Sequence, residues 1–161
     1  MKPTFSILSL ALGSAMLLPA CTNHHHQHEQ QSHFTPGLGE IMAQTSTRHA
    51  KLWFAGQEQN WALAAYEIDE LKEGMEDAGN YHPTHKNITQ PIPELITKTM
   101  NQPLNDLEQT IKDKNRQAFI ENYDKLTAAC NACHQGTEFG FNVVTRPSFN
   151  PFANQAFGTV K

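Results

Sequence analysis

Apolar positions recur through the middle of the chain at steps of three and four residues, the spacing of one helix face. Leu38, Ile41, Met42, Thr45, His49, Leu52, Trp53 and Gly56 follow it after Thr35-Pro36-Gly37, predicting a first helix that ends near Gly56. Trp61, Ala64, Ala65, Ile68, Leu71 and Met75 predict a second, from about Glu58 to Ala78, with Gly79-Asn80 as its stop. Tyr81 to Pro91 contains Pro83 and reads as a loop. A third stripe, Ile96, Met100, Leu104, Leu107 and Ile111, starts near Pro93, where a first-turn proline and Glu94 suit a helix N-terminus. Pro103 lies inside it and should kink or split the helix. The fourth helix, from about Asn115 to His134, carries Phe119, Tyr123, Leu126, Cys130 and Cys133 at steps of 4, 3, 4 and 3. Stripes near a 3.5-residue period joined by short connections predict an all-α fold. The expected architecture is an antiparallel up-down-up-down four-helix bundle over residues 36–135.

Beyond Gly136 the periodicity ends. Residues 136–161 hold five of the nine phenylalanines (Phe139, Phe141, Phe149, Phe152, Phe157), with Pro147 and Pro151. The segment is irregular but too aromatic for a free tail, so its rings are expected to pack over the bundle end. Composition agrees with a helical body: the only valines are Val143, Val144 and Val160, which argues against a large sheet. The length of 161 residues is that of one domain, and a formal charge of −4 excludes nucleic acid as a partner.

The one long apolar run sits at the N-terminus. Lys2, then Phe5 to Leu18, then Pro19-Ala20-Cys21, reads as a signal peptide over residues 1–20, too short to span a bilayer comfortably. Leu18-Pro19-Ala20-Cys21 resembles the bacterial lipobox, which makes Cys21 the lipidated first residue of the mature chain. Ordinary cleavage near Ala20 is the alternative, leaving Cys21 a free thiol. Residues 21–35, with His24, His25, His26, His28 and His33 among glutamines, form a polar tether with loose capacity for divalent metals. The expected place is the periplasm, with the protein held to a membrane only through its lipid.

Export changes how the remaining cysteines are read. Cys130-Asn131-Ala132-Cys133-His134 is C-x-x-C-H, in which two thiols add across haem vinyl groups and the adjacent histidine supplies an axial nitrogen to iron. On a helix, positions 130, 133 and 134 share one side. Three other readings compete. A thioredoxin-like redox pair wants a βαβ setting. Zinc held by Cys130, Cys133 and histidines needs three or four ligands in all. A structural disulfide would join Cys130 to Cys133.

A C-x-x-C-H closing the last helix of an exported bundle resembles the class II c-type cytochromes, the cytochrome c prime fold. Arg48 to Gly56, Asn60-Trp61 and Ala129 to Gln135 are also similar to stretches of small bacterial haem proteins. The resemblance covers about residues 37–135. It implies one covalent haem c, with Cys130 and Cys133 as thioethers and His134 as proximal iron ligand. The chain departs from the family in continuing 27 residues past His134.

In the expected bundle the first and last helices are antiparallel neighbours, which sets Met42 level with the motif. His49 lies seven residues further, roughly 10 Å deeper. The family fills the distal position with a methionine ligand or a bulky apolar block. Met42 is therefore the distal candidate and His49 the less favoured one. Met42 has core packing as its alternative, and His49 a local hydrogen bond. His82 and His85 read as solvated loop residues; Arg48, Lys51 and Arg146 are candidate partners for haem propionates. With no acid–base pair or nucleophile constellation in view, the expected function is electron transfer rather than catalysis. The expected partners are periplasmic redox proteins, with a homodimer as an option. The alternatives are an NO- or CO-binding haem protein with an open distal site, and a haem-free metal-binding lipoprotein.

Overall fold

A computed structural model describes residues 34–159. The signal peptide, most of the histidine-rich tether and Cys21 lie outside the described residues. The described part is all-helical, with α1 (Leu38–Gln57), α2 (Trp61–Tyr81), α3 (Ile92–Thr99), α4 (Asn101–Lys112) and α5 (Arg116–Gly136) and no strand. No helix among the described residues is long and apolar enough to cross a membrane. The closest packing is α1 on α2 and α4 on α5, while α2 also meets α3 and α4, and α5 meets α1 and α3.

Two turns of the same design set these hairpins. After α1, Gln59 takes a left-handed φ of 54°, and after α4, Lys114 does the same at 54°. Asn60 N–H then reaches back five residues to Ala55 O at 2.9 Å, and Asn115 N–H to Thr110 O at 3.0 Å. These are Schellman closures. The next residue caps the following helix: Asn60 Oδ1 accepts from Leu63 N at 3.2 Å, and Asn115 Oδ1 from Ala118 N at 3.1 Å.

Two expected boundaries move. The second helix starts at Trp61 because Asn60 caps it, and it runs through Gly79-Asn80 to Tyr81. Gly79 is not a stop but a close approach: a Cβ there would sit 3.4 Å from the Pro93 ring. The third helix divides at Met100, between α3 and α4. Pro103 clashes with a helical carbonyl four residues back, at Thr99, so α3 ends there. In the first turn of α4 its missing N–H costs nothing, because that donor would have no helical partner.

The core gathers Leu52 and Trp53 from α1, Ala64, Ile68 and Leu71 from α2, Leu104 and Leu107 from α4, and Phe119, Tyr123 and Leu126 from α5. Gly56 lets α1 and α5 touch: a Cβ there would run into the Phe119 ring. Contact pairs show that these two helices run antiparallel. Trp53 meets both Phe119 and Tyr123, and one turn earlier His49 meets Tyr123 and Thr127.

The tail is only partly buried. Phe157 is buried beside Phe54, and Phe139 and Phe152 are half-buried. The expectation that all five rings pack away fails for Phe141 and Phe149, which are 77% and 73% exposed. For Phe141 the reason is local: it lies in the turn closed by Asn142 N–H to Phe139 O at 2.8 Å, which turns its ring outward beside Phe139.

Candidate metal centre at the end of α5

The apolar stripe of α5 is buried through Phe119, Tyr123 and Leu126 and stops being fully buried beyond that point. Cys130 and Cys133 continue the same stripe half-exposed, and both are free thiols. Burial still pushes the Cys130 thiol up to about 12, reinforced by Cys133. Burial raises Cys133 too, opposed by a hydrogen bond with Thr99 at the end of α3. A dithiol redox catalyst needs the opposite, a thiol lowered toward neutrality. The described residues also contain no strand for a βαβ setting.

His134 completes the motif. Its Nδ1 lies 2.6 Å from the backbone oxygen of Asn142. A carbonyl only accepts, so the proton is on Nδ1 and the Nε2 lone pair is left free. That arrangement suits a metal-ligating imidazole, whose other nitrogen donates to a carbonyl or carboxylate.

The remaining candidates lie on α1, at the α2–α3 loop and in the tail. Half-buried Met42 lies two turns before His49 on α1, in the direction in which the α1–α5 pairing runs toward the motif. His49 is 4% exposed and has both ring nitrogens engaged, Nε2 with Thr127 Oγ1 at 2.9 Å and Nδ1 with Tyr123 OH at 2.9 Å. Thr127 already donates its hydroxyl proton to Tyr123 O at 2.9 Å, so His49 Nε2–H donates to Thr127. Nδ1 then accepts from Tyr123, whose hydroxyl also reaches His49 O at 2.9 Å. Burial lowers the His49 pKa to about 4, so the ring is neutral, and burial raises the Tyr123 pKa.

The three cations considered for propionates have other partners. Arg48 bonds Glu67 at 3.3 Å and Glu70 at 2.6 Å, Lys51 lies 5.3 Å from the Phe152 ring centre, and Arg146 pairs with Asp124. His82 is not simply solvated: its Nε2 lies 2.8 Å from Pro36 O, tying the α2–α3 loop to the start of α1. His85 lies 6.1 Å from the Phe139 ring, bringing that loop to the motif end as well. Sequence reasoning missed Asn142 and Asn131, which act through backbone atoms of the tail; a single sequence carries no spacing signal for such bonds.

The donor set fits the group that the motif implies: two unpaired thiols and one imidazole with a free Nε2, on a half-exposed apolar stripe. Among the described residues no group of three or more His, Cys, Asp or Glu converges as a metal site. Two grooves lie away from the motif, one of about 540 Å³ between α2 and α3–α4 and one of about 350 Å³ between α2 and α4. No family model, curated protein or solved structure matches the chain.

Proposed function

We propose that the chain is a covalent haem c electron carrier of the bacterial cell envelope. On this reading α3 and α4 together form the third arm of an up-down-up-down four-helix bundle. The observation that carries it is His134, held through Nδ1 with Nε2 free, next to two free thiols on the same side of α5. Cys130 and Cys133 would hold the group as thioethers, each S–H adding across a vinyl double bond, and His134 Nε2 would ligate the iron. When bound, the group supplies a one-electron Fe(II)/Fe(III) couple. The protein's share is orientation: α5 fixes the thiols, Asn142 O fixes the imidazole, and Met42 of α1 would be the second ligand to the group. His49 takes no part in ligation, because both its nitrogens are occupied.

The reading extends to place and partners. Residues 1–20 act as the signal peptide and lipidated Cys21 anchors the mature chain in the periplasm, where it meets redox proteins. Stable anchoring requires several acyl chains, as a bacterial lipoprotein has.

Optical spectra of the matured protein, oxidised and reduced, with and without CO, test the assignment. A low-spin spectrum unresponsive to CO is expected, and Met42→Ala should make it high-spin and CO-binding. A wild-type haem that binds CO freely would move the reading to a gas-binding protein. A low-spin haem lost in His49→Ala but kept in Met42→Ala would overturn the distal assignment.

A further inference from the structure

The segment that follows the motif is fastened to α5 at three successive points. Asn142 O accepts from His134 Nδ1 at 2.6 Å. Val144 is gripped from both sides by the Asn131 amide: Nδ2 donates to Val144 O at 2.8 Å, and Val144 N–H donates to Oδ1 at 2.8 Å. Arg146 Nε donates to Asp124 Oδ1 at 3.1 Å, its second nitrogen bonds Oδ2, and its guanidinium lies 4.5 Å from the Trp53 ring centre.

Residues 142, 144 and 146 meet α5 in turn, Asn142 and Val144 through backbone atoms and Arg146 through its side chain. Their partners, His134, Asn131 and Asp124, descend α5 in the opposite order. Val143, between them, points away and is 68% exposed. The turn that starts this return is closed at the motif itself, where Phe139 N–H donates to His134 O at 2.8 Å and Glu138 takes a φ of 65°.

We infer that residues 137–146 are a strap whose register, set by Asn131 and Arg146, fixes the proton of His134 on Nδ1. Asn131 is thus a positioning residue for the metal-facing nitrogen, although it touches no metal itself. The inference deepens the haem reading and rests on it for its consequence, but the tautomer is a property of the chain alone. The bond from Nδ1–H to a carbonyl also makes the imidazole a stronger electron donor, which favours Fe(III). The spacer residues of C-x-x-C-H are free in principle; here one of them holds the backbone that aims the ligand.

The test begins with the haem-free full chain, labelled with ¹⁵N in histidine and observed by NMR in mildly alkaline buffer. Wild-type His134 should show the proton on Nδ1. In Asn131→Ala the tautomer ratio should shift about fivefold toward Nε2–H, the effect of one net hydrogen bond. The Val144 amide should exchange faster by a similar factor. Arg146→Ala, which leaves the motif untouched, should move both readouts the same way by less, and the double variant by more than either.

The same substitutions in the haem-loaded protein should raise the reduction potential. An unchanged His134 tautomer in Asn131→Ala, despite faster Val144 exchange, would overturn the inference by showing a purely structural strap. Unchanged Val144 exchange would overturn it by showing that the grip is absent. If the chain never takes up haem, the electron-carrier reading fails, while the tautomer shift still supports the positioning role of Asn131.

Discussion

The two halves of α5 are built by different rules. Its first half buries Phe119, Tyr123 and Leu126 fully, and Phe119 and Tyr123 meet Trp53 of α1, with Gly56 against the Phe119 ring. Its second half carries the motif and has no fully buried side chain. There the order comes from directional polar bonds to the strap at His134 and Asn131. Burial is strong and tolerant of small rearrangements, whereas a hydrogen bond is weak but aims a specific atom. The first half therefore supplies stability, and the second supplies geometry for a ligand.

The largest expected effect lies in the buried half. Phe119→Ala should cost about 3–5 kcal/mol in denaturant unfolding, because the ring fills the interior beneath Gly56 and Trp53. An effect well below that would mean the core end is not where stability resides. His49 comes next and carries a sign. Its folded pKa is lowered to about 4, from an ordinary 6.5, by burial. Between those values the unfolded chain binds the extra proton, so stability is fully present above pH 6.5 and is lost as pH falls toward 4. The total loss is about 3 kcal/mol. His49→Gln should flatten the wild-type curve over this window, measured as unfolding free energy against pH.

Smaller effects sharpen the comparison. Gly56→Ala forces a methyl into the Phe119 ring and should cost about 1–3 kcal/mol, read as a lower denaturant midpoint. Arg146→Ala acts on the strap and removes a largely exposed ion pair and its contact with Trp53. It should cost no more than about 1 kcal/mol, yet change Trp53 fluorescence as the cation leaves the ring face. A large stability loss from Arg146→Ala would erase the distinction between the two halves.

The elements legible in the sequence were those with periodic burial. The stripes of α1, α2 and α5 placed Leu52, Ile68, Leu71, Phe119 and Tyr123 in the core because side-chain spacing and helix period agree. Boundaries were less legible. The Schellman turns use Gln59 and Lys114 where glycine would have been the signal. Gly79, read as a stop, serves close packing against Pro93. In the candidate site, C-x-x-C-H announced Cys130, Cys133 and His134 through local spacing. The carbonyl of Asn142 and the two hydrogen bonds between Asn131 and Val144 were hidden, because they pair side chains with backbone atoms across a turn. Phe141 was misread because it falls in the turn after α5, where a ring can point outward, and hydrophobicity alone does not show that.

Mass spectrometry of the chain produced alongside a c-type haem assembly system tests the central claim most directly. The account predicts one haem per chain, on a peptide containing Cys130 and Cys133, and none when both are replaced by serine. Unmodified Cys130 and Cys133 in the exported wild-type protein, from cells that load a control c-type cytochrome, would contradict it.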